Sequence, residues 1–212
     1  MHNSLPPETA VRGDAARNRR RLLETALEIV ADAGADGLTM DLLARRAGLG
    51  KGTVFRRFGN RAGLMQALLD HVEQGFLAAC VSGPPPLGPG ALPHERLLAF
   101  GTGRLRLLTA NIELARAADV DSRARYLHPS RRIALDHLTG LLRQEGSVRD
   151  PELAAYQLAA FLDAGLLLHL QRDAGMGAGR LEQGWTDLVG ALTGRPPRPP
   201  AVSGRSAPGP GT

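Results

Sequence analysis

The sequence has little cysteine, little lysine and few aromatic residues. Its 212 residues include one cysteine, Cys80, one lysine, Lys51, and 4% aromatic side chains. A lone cysteine excludes an internal disulfide, and Cys80 has no second cysteine or close histidine at zinc-ligand spacing. A protein without disulfides suits a reducing compartment, which predicts a cytoplasmic location.

No stretch of the sequence has the length and composition of a membrane span. The longest uncharged stretch, residues 75–94, contains five prolines and cannot form a continuous helix. Residues 1–11 lack the apolar centre of an export signal. We therefore expect neither a membrane partner nor an export signal.

The motifs of common enzyme classes are absent as well. A phosphate-binding loop ending at Gly50 and Lys51 needs glycine where Arg45 stands, and a dinucleotide fingerprint needs its third glycine where Thr53 stands. The six histidines are scattered, and no pair has the i, i+4 spacing of a zinc site. The sequence therefore predicts a protein that is not an enzyme and has no cofactor or metal.

The spacing of apolar residues is helical almost throughout, with no run of alternating strand residues, so we expect an all-α fold. Residues 1–13 and 195–212 are rich in Pro, Gly and Ser, which predicts disordered tails. About nine helices are expected between them, with Asp14, Thr39 and Asn60 as N-caps. They cover about 14–34, 40–47, 51–57, 61–76, 94–109, 111–118, 130–145, 151–173 and 178–193.

A segment of five prolines and three glycines, residues 83–93, separates the first four helices from the rest. This composition predicts two domains, covering residues 14–76 and 77–194. In the second, the helix over 151–173 has apolar residues on more than one face, and the last helix has a stripe formed by Leu181, Trp185, Leu188 and Leu192. Both predict packing against a second copy of the chain.

Residues 39–64 have the spacing of a helix-turn-helix, because two short helices flank a turn with Gly48 and Gly50. Six basic residues and no acidic one lie between Ala44 and Leu64, in a chain of net charge +5. Such a local excess of positive charge favours phosphate, so we expect this segment to bind double-stranded DNA.

The helical spacing sorts the side chains of the third helix. Val54 and Phe58 are four residues apart and apolar, so they should face the first two helices and leave the opposite side for the bases. Basic residues, the capping Thr39 and the arginines at positions 17–21 suit phosphates. The expected DNA contacts are Thr39, Arg45, Lys51, Gly52, Thr53, Phe55, Arg56, Arg57 and Arg61.

This segment resembles the DNA-binding domain of the tetracycline-repressor (TetR) family of bacterial regulators over about residues 17–72. The matching residues are Ala47, Gly48, Leu49, Lys51, Gly52, Thr53, Val54, Phe55 and Phe58. Gly50 stands where a capping Ser is usual, and Phe55 where a Tyr is often found. The resemblance implies a homodimeric repressor that a small-molecule effector releases from a palindromic operator.

The second domain is expected to hold a mainly apolar effector cavity between the helices near residues 100–108, 133–142 and 156–168. Few bulky aromatic residues lie there, which favours an unfilled space, and a tightly packed bundle of Leu and Ala is the alternative. The candidate ligand contacts are Phe100, Asn111, His137, Phe161 and Asp163. A chromosome-organising DNA-binding protein without a ligand is the alternative, and a small helical enzyme is a more distant one.

Overall fold

A computed structural model describes residues 8–117 and 128–195, with the side chains described from residue 17 onward. These parts of the chain contain ten helices and no strand, which confirms the all-α fold. We number the helices in chain order: α1 (Glu8–Gly37), α2 (Met40–Arg46), α3 (Lys51–Phe58), α4 (Arg61–Ser82), α5 (Pro93–Ala110), α6 (Ile112–Ala117), α7 (Pro129–Glu145), α8 (Pro151–Phe161), α9 (Ala164–Arg172) and α10 (Ala178–Thr193).

Local capping residues set most helix starts. The Thr39 hydroxyl accepts a hydrogen bond from the Leu42 backbone N–H at 3.1 Å, and Asn60 Oδ1 accepts one from Gly63 at 2.8 Å. Both predicted N-caps are therefore confirmed. The N-cap expected at Asp14 is wrong, because the backbone is already helical from Glu8 and residues 8–13 belong to α1.

The long helix predicted over residues 151–173 is two helices, α8 and α9, bent by 41° at Leu162 and Asp163. The Asp163 carboxylate accepts a hydrogen bond from the Leu166 N–H at 3.1 Å. Aspartate stabilises a helix start by satisfying such N–H groups, so it begins α9 here instead of continuing α8. This break raises the helix count of the described residues from about nine to ten.

The buried apolar side chains form two clusters. The first lies between α1, α2, α3 and α4, and Leu114 of α6 also belongs to it. The second joins the end of α4 with α5 and α7–α10. Helix α6 thus packs its buried residue against the N-terminal helices, although it follows α5 in the sequence.

Trp185 is the largest buried side chain of the second cluster, and its indole N–H donates to the Leu97 carbonyl at 3.1 Å. Its ring lies directly over Gly101 of α5. Leu181 and Val189 are buried beside it, and α10 packs mainly on α5. Two residues of the α10 stripe, Leu181 and Trp185, are therefore covered within the chain, while Leu188 and Leu192 are only partly buried. Packing of this stripe against a second copy stays a prediction.

The first residue of the predicted C-terminal tail is held by an ion pair. Arg195, predicted as the first tail residue, places its Nε 2.9 Å from the Glu145 carboxylate. Residues 1–7 and 196–212, the rest of the predicted tails, lie outside the described residues. In the described part of the chain, no single helix is long and apolar enough to cross a membrane, and only α8 and α9 taken together reach that length and composition.

Candidate nucleic-acid interface and cavity

The turn between α2 and α3 is fixed by three backbone hydrogen bonds. Ala47, Gly48 and Leu49 donate to the carbonyls of Leu43, Arg45 and Ala44. Gly48 has φ +66°, a left-handed conformation that favours glycine. The turn therefore sets α3 across α2, as a helix-turn-helix requires.

Burial then orients α3. Val54 is fully buried and Phe58 is 8% exposed, both in the first cluster, as their spacing predicts. The opposite side consists of residues predicted to meet DNA. Lys51, Gly52, Phe55 and Arg56 are exposed and Thr53 is partly exposed.

The exposed side of α3 has free space at Gly52, near the start of the helix. A Cβ atom added to Gly52 would meet no heavy atom within 4 Å. The Lys51 ammonium lies 5.6 Å from the centre of the Phe55 ring, which is 38% exposed. The Lys51 ammonium and the Phe55 ring therefore lie beside Gly52, where the backbone of a bound molecule can approach α3 closely.

Acidic partners of this segment lie before it in the sequence. Arg46 pairs with Asp32 of α1 at 3.0 Å, and Lys51 pairs with Asp41 of α2 at 2.9 Å. The count of charges between residues 44 and 64 therefore overstates the free positive charge. Arg45 and Arg56 are exposed and form no ion pair with another described residue.

Arg61 is tied to the protein itself. Its Nη2 donates to the Ala35 carbonyl at 2.7 Å and to Asp36 Oδ1 at 3.3 Å, and its Nε donates to the Leu38 carbonyl at 3.3 Å. Arg61 therefore joins the start of α4 to the last turn of α1 and to Leu38, which precedes α2. The sequence predicts a phosphate contact at this position and does not reveal the internal bonds.

The remaining predicted contacts flank α3. Thr39 is exposed at the start of α2, where its hydroxyl caps the helix, and Arg57 is partly buried. In the first half of α1, Arg19 lies over the Phe58 ring at 5.5 Å, while Arg20 and Arg21 are exposed. One of the arginines predicted to flank the interface thus lies against its third helix.

A cavity of about 280 Å³ lies between α4, α5, α6, α7 and the bend from α8 to α9. Three of its walls match the predicted helices, whereas α4 and α6 were not expected. Its lining is mainly apolar, as predicted, but it also contains seven ionisable side chains that were not expected together. These are Asp70, Glu73, Arg104, Arg116, His128, Arg131 and Asp163.

Two predicted ligand residues, Phe100 and Asp163, line this cavity, and the other three do not. Asn111 ends α5 and donates to the Leu107 carbonyl at 2.8 Å. The Phe161 ring packs 6.2 Å from Trp185. His137 contacts Phe100 at 5.6 Å, and burial, followed by the charge of Arg96, lowers its pKa.

Sequence reasoning missed Gln66, Asp70 and Glu73, the polar side of the cavity. They lie at i, i+4 and i+7 on α4, a spacing that a solvent-facing stripe shares. Because α4 was assigned wholly to the first domain, nothing marked this stripe as a cavity wall. Among residues 17–117 and 128–195, no group of three or more His, Cys, Asp or Glu side chains is arranged to hold a metal ion.

Residues 22–68, which contain α2, α3 and their turn, match the model of the bacterial regulatory proteins of the tetR family. The helix-turn-helix segment of the chain is therefore that of the tetR family. The regulator SrpR of Pseudomonas putida is 34% identical over 56 residues, which are 26% of each protein. The chain therefore spans only about a quarter of that relative in this alignment.

A longer alignment joins the chain to the regulator BetI of Cronobacter sakazakii. It is 27% identical over 154 residues, covering 68% of this chain and 75% of BetI. The structure of SmeT of Stenotrophomonas maltophilia in complex with triclosan superposes with a TM-score of 0.54 at 21% identity, covering 82% of this chain and 90% of SmeT. Both relatives, SrpR and BetI, are described as HTH-type transcriptional regulators, as the resemblance implies for this chain.

Proposed function

We propose that this chain is a cytoplasmic tetR-family repressor that binds a palindromic DNA operator as a homodimer and is released by a small molecule. The observation that carries the proposal is the exposed side of α3, the second helix of the helix-turn-helix. Lys51, Gly52, Phe55 and Arg56 lie together on that side. Thr53 and Arg56 are assigned to bases, and Arg45 to phosphates.

Residues 14–76 form the DNA-binding domain and residues 77–194 the dimerisation and effector domain in this proposal. The dimer interface is assigned to α8, where Leu153 is 56% and Tyr156 50% exposed. These residues are three apart on one helix face, so a second copy would bury them together. The α10 stripe, in which Leu188 and Leu192 are partly buried, is assigned to the same interface.

The effector is assigned to the cavity beside α4. This helix contributes to the first cluster at its start and to the cavity wall at Gln66, Asp70 and Glu73. A ligand that fits only one position of α4 would therefore shift the population between DNA-binding and released states. The SmeT–triclosan complex supports a small organic ligand in a protein of the same fold.

The test is a titration of the purified chain with duplex DNA selected from a random pool, repeated at several salt concentrations. We expect a roughly palindromic site and an affinity that falls steeply with salt, on the order of five or more phosphates per dimer. A flat salt response would contradict the proposal. Specific binding that no compound releases would favour the chromosome-organising alternative.

A further inference from the structure

We propose that the cavity beside α4 selects a lipophilic amine, whose N–H groups donate to Gln66 and Asp70 while its apolar body packs against Phe100, Leu138 and Leu162. This inference rests on the proposed function, since it names the ligand class of the effector site. Three observations carry it: an unpartnered acceptor, a carboxylate that pairs with no guanidinium of the described residues, and the size of the apolar part.

Gln66 supplies the acceptor. Its Nε2 donates to the Asp70 carboxylate at 2.6 Å, while its Oε1 is buried and has no partner among the described residues. The amide cannot be turned round without cost, because a carboxylate only accepts hydrogen bonds and would then face the amide oxygen. A buried acceptor without a partner is unfavourable, so a ligand N–H group placed there gains a full hydrogen bond.

The surroundings of Asp70 favour a cation. Asp70, Glu73 and Asp163 contribute three carboxylates to the lining. Glu73 is taken by Arg104 at 2.7 Å, in a pair whose side chains are only 13% and 15% exposed.

Arg116 and Arg131 also line the cavity, so three guanidiniums match three carboxylates among its described lining residues. Arg116 is half exposed, with its Nε on Glu113 at 3.0 Å. The neighbours of Asp70 are the Gln66 amide and His128, whose Nε2 lies 3.4 Å away. Asp70 thus pairs with no guanidinium of the described residues, and an ammonium group placed beside it gains a charge-assisted hydrogen bond.

The apolar part of the lining limits the size of the ligand. Phe100, Leu138, Leu162 and Leu168 provide the apolar surface. The volume of about 280 Å³ is about twice that of a ~150 Å³ engineered cavity that binds benzene. An aryl ring with a short alkyl chain and one terminal amine therefore fits the space.

The experiment compares three probes of one shape: 4-phenylbutylamine, 4-phenylbutanol and 4-phenylbutanoate. Each is titrated calorimetrically into the full chain without DNA at neutral pH. We expect the amine to bind about tenfold more tightly than the alcohol, and the carboxylate most weakly. Tightest binding of the carboxylate, equal binding of all three, or binding of none would overturn the inference.

Matched variants locate the contacts. Gln66→Leu and Asp70→Asn should each weaken the amine about tenfold and change the alcohol less than threefold. Gln74→Leu, at an exposed position of the same helix, is the control and should change neither. If Gln66→Leu and Asp70→Asn leave the amine affinity unchanged, the amine does not bind at this site and the proposal is wrong.

The DNA titration separates this inference from the proposed function. Salt-dependent operator binding without amine selectivity would reject the amine and leave the regulator intact. Amine selectivity in a chain that binds no DNA would reject the regulator and leave the ligand site intact. The wild-type comparison of the three probes needs no variant, so a failure of Gln66→Leu to fold does not remove the test.

Discussion

Lys51 Nζ lies 2.9 Å from Asp41 Oδ1, so the lysine at the start of α3 is paired with a carboxylate at the start of α2. Both side chains are well exposed. A DNA phosphate that approaches Lys51 therefore has to replace a protein carboxylate as its partner. The ion pair lowers general affinity for nucleic acid, while leaving the ammonium in place for a base or phosphate that fits.

The first prediction concerns this pair. Asp41→Asn should raise the affinity for duplex DNA of any sequence by up to about fivefold, because exposed ion pairs contribute at most ~1 kcal/mol. Fluorescence anisotropy with specific and scrambled duplexes measures the change. Asp136→Asn removes an exposed, ion-paired carboxylate on α7 and is the control. A weaker affinity for the scrambled duplex in Asp41→Asn would contradict the prediction.

The second prediction separates two arginines. Arg61→Ala removes hydrogen bonds to the Ala35 and Leu38 carbonyls and should lower the free energy of unfolding by about 1–3 kcal/mol. Arg56→Ala removes an exposed side chain and should change it by less than ~0.5 kcal/mol.

Selection from random DNA adds the functional comparison for these two variants. Arg56→Ala should relax the preference at particular base pairs, by ~1–3 kcal/mol for a bidentate contact. Arg61→Ala should weaken all sequences alike. If Arg61→Ala changes the preferred sequence and Arg56→Ala does not, the assignment of these residues is reversed.

The third prediction tests the contact between α5 and α10. A Cβ atom at position 101 would lie 1.8 Å from Trp185 Cε2. The indole cannot withdraw easily, because it is buried and bound to the Leu97 carbonyl. Gly101→Ala should therefore destabilise the fold by about 3 kcal/mol or more. Gly75→Ala, in open space on α4, is the control and should stabilise the fold by ~0.5–1 kcal/mol. Equal denaturation midpoints for the two variants would refute the packing argument.

A fourth prediction concerns assembly. Leu153→Glu should yield monomers in sedimentation at micromolar concentration, because it places a charge in the proposed interface of α8. Monomers should bind the operator weakly, since one half-site loses the gain from linking two. Val81→Glu alters another strongly exposed apolar residue and should remain dimeric. A wild-type monomer would rule out the assignment.

Burial of Cys80 gives the fifth prediction. Burial raises the pKa of its thiol from 9.0 to about 11, against the smaller opposing effects of Arg96 and Arg104. The native thiolate at pH 8 should thus be about a hundredfold scarcer than in the unfolded chain, so DTNB should react slowly until guanidinium chloride is added.

The raised pKa of Cys80 also makes the stability of the fold depend on pH. A thiol whose pKa is raised by folding stabilises the native state below pH 9, and this contribution is lost as the pH rises toward 11. Cys80→Ala should remove that part of the loss of stability at alkaline pH. Immediate modification of the native protein at pH 8 would contradict the burial.

Local signals in the sequence predicted the features that depend on neighbouring residues. Thr39 and Asn60 cap helices because their own side chains reach the next turn, and Val54 and Phe58 share a face because of their spacing. The break at Asp163 was missed because apolar residues on both sides suggest one continuous helix. The preference of aspartate for the helix start decides against it.

Features that join distant segments could not be derived in this way. Asp32 and Asp41 neutralise basic residues that follow them by 14 and 10 positions, outside the window in which charges were counted. The polar wall of the cavity depends on how α4 packs against α5, α6 and α7. The spacing of residues within α4 does not indicate that packing.

Leu114 is 1% exposed and fills part of the first cluster, although it lies 46 residues beyond its nearest sequence neighbour there, Leu68. A fragment that stops at residue 76 would open a hole of one leucine among its helices, at a cost of about 2–5 kcal/mol. A hybrid that joins these helices to the second half of another regulator would place a foreign side chain in the same hole. Exchange of sensing modules between such proteins should therefore succeed only when residues 112–117 stay with the DNA-binding helices.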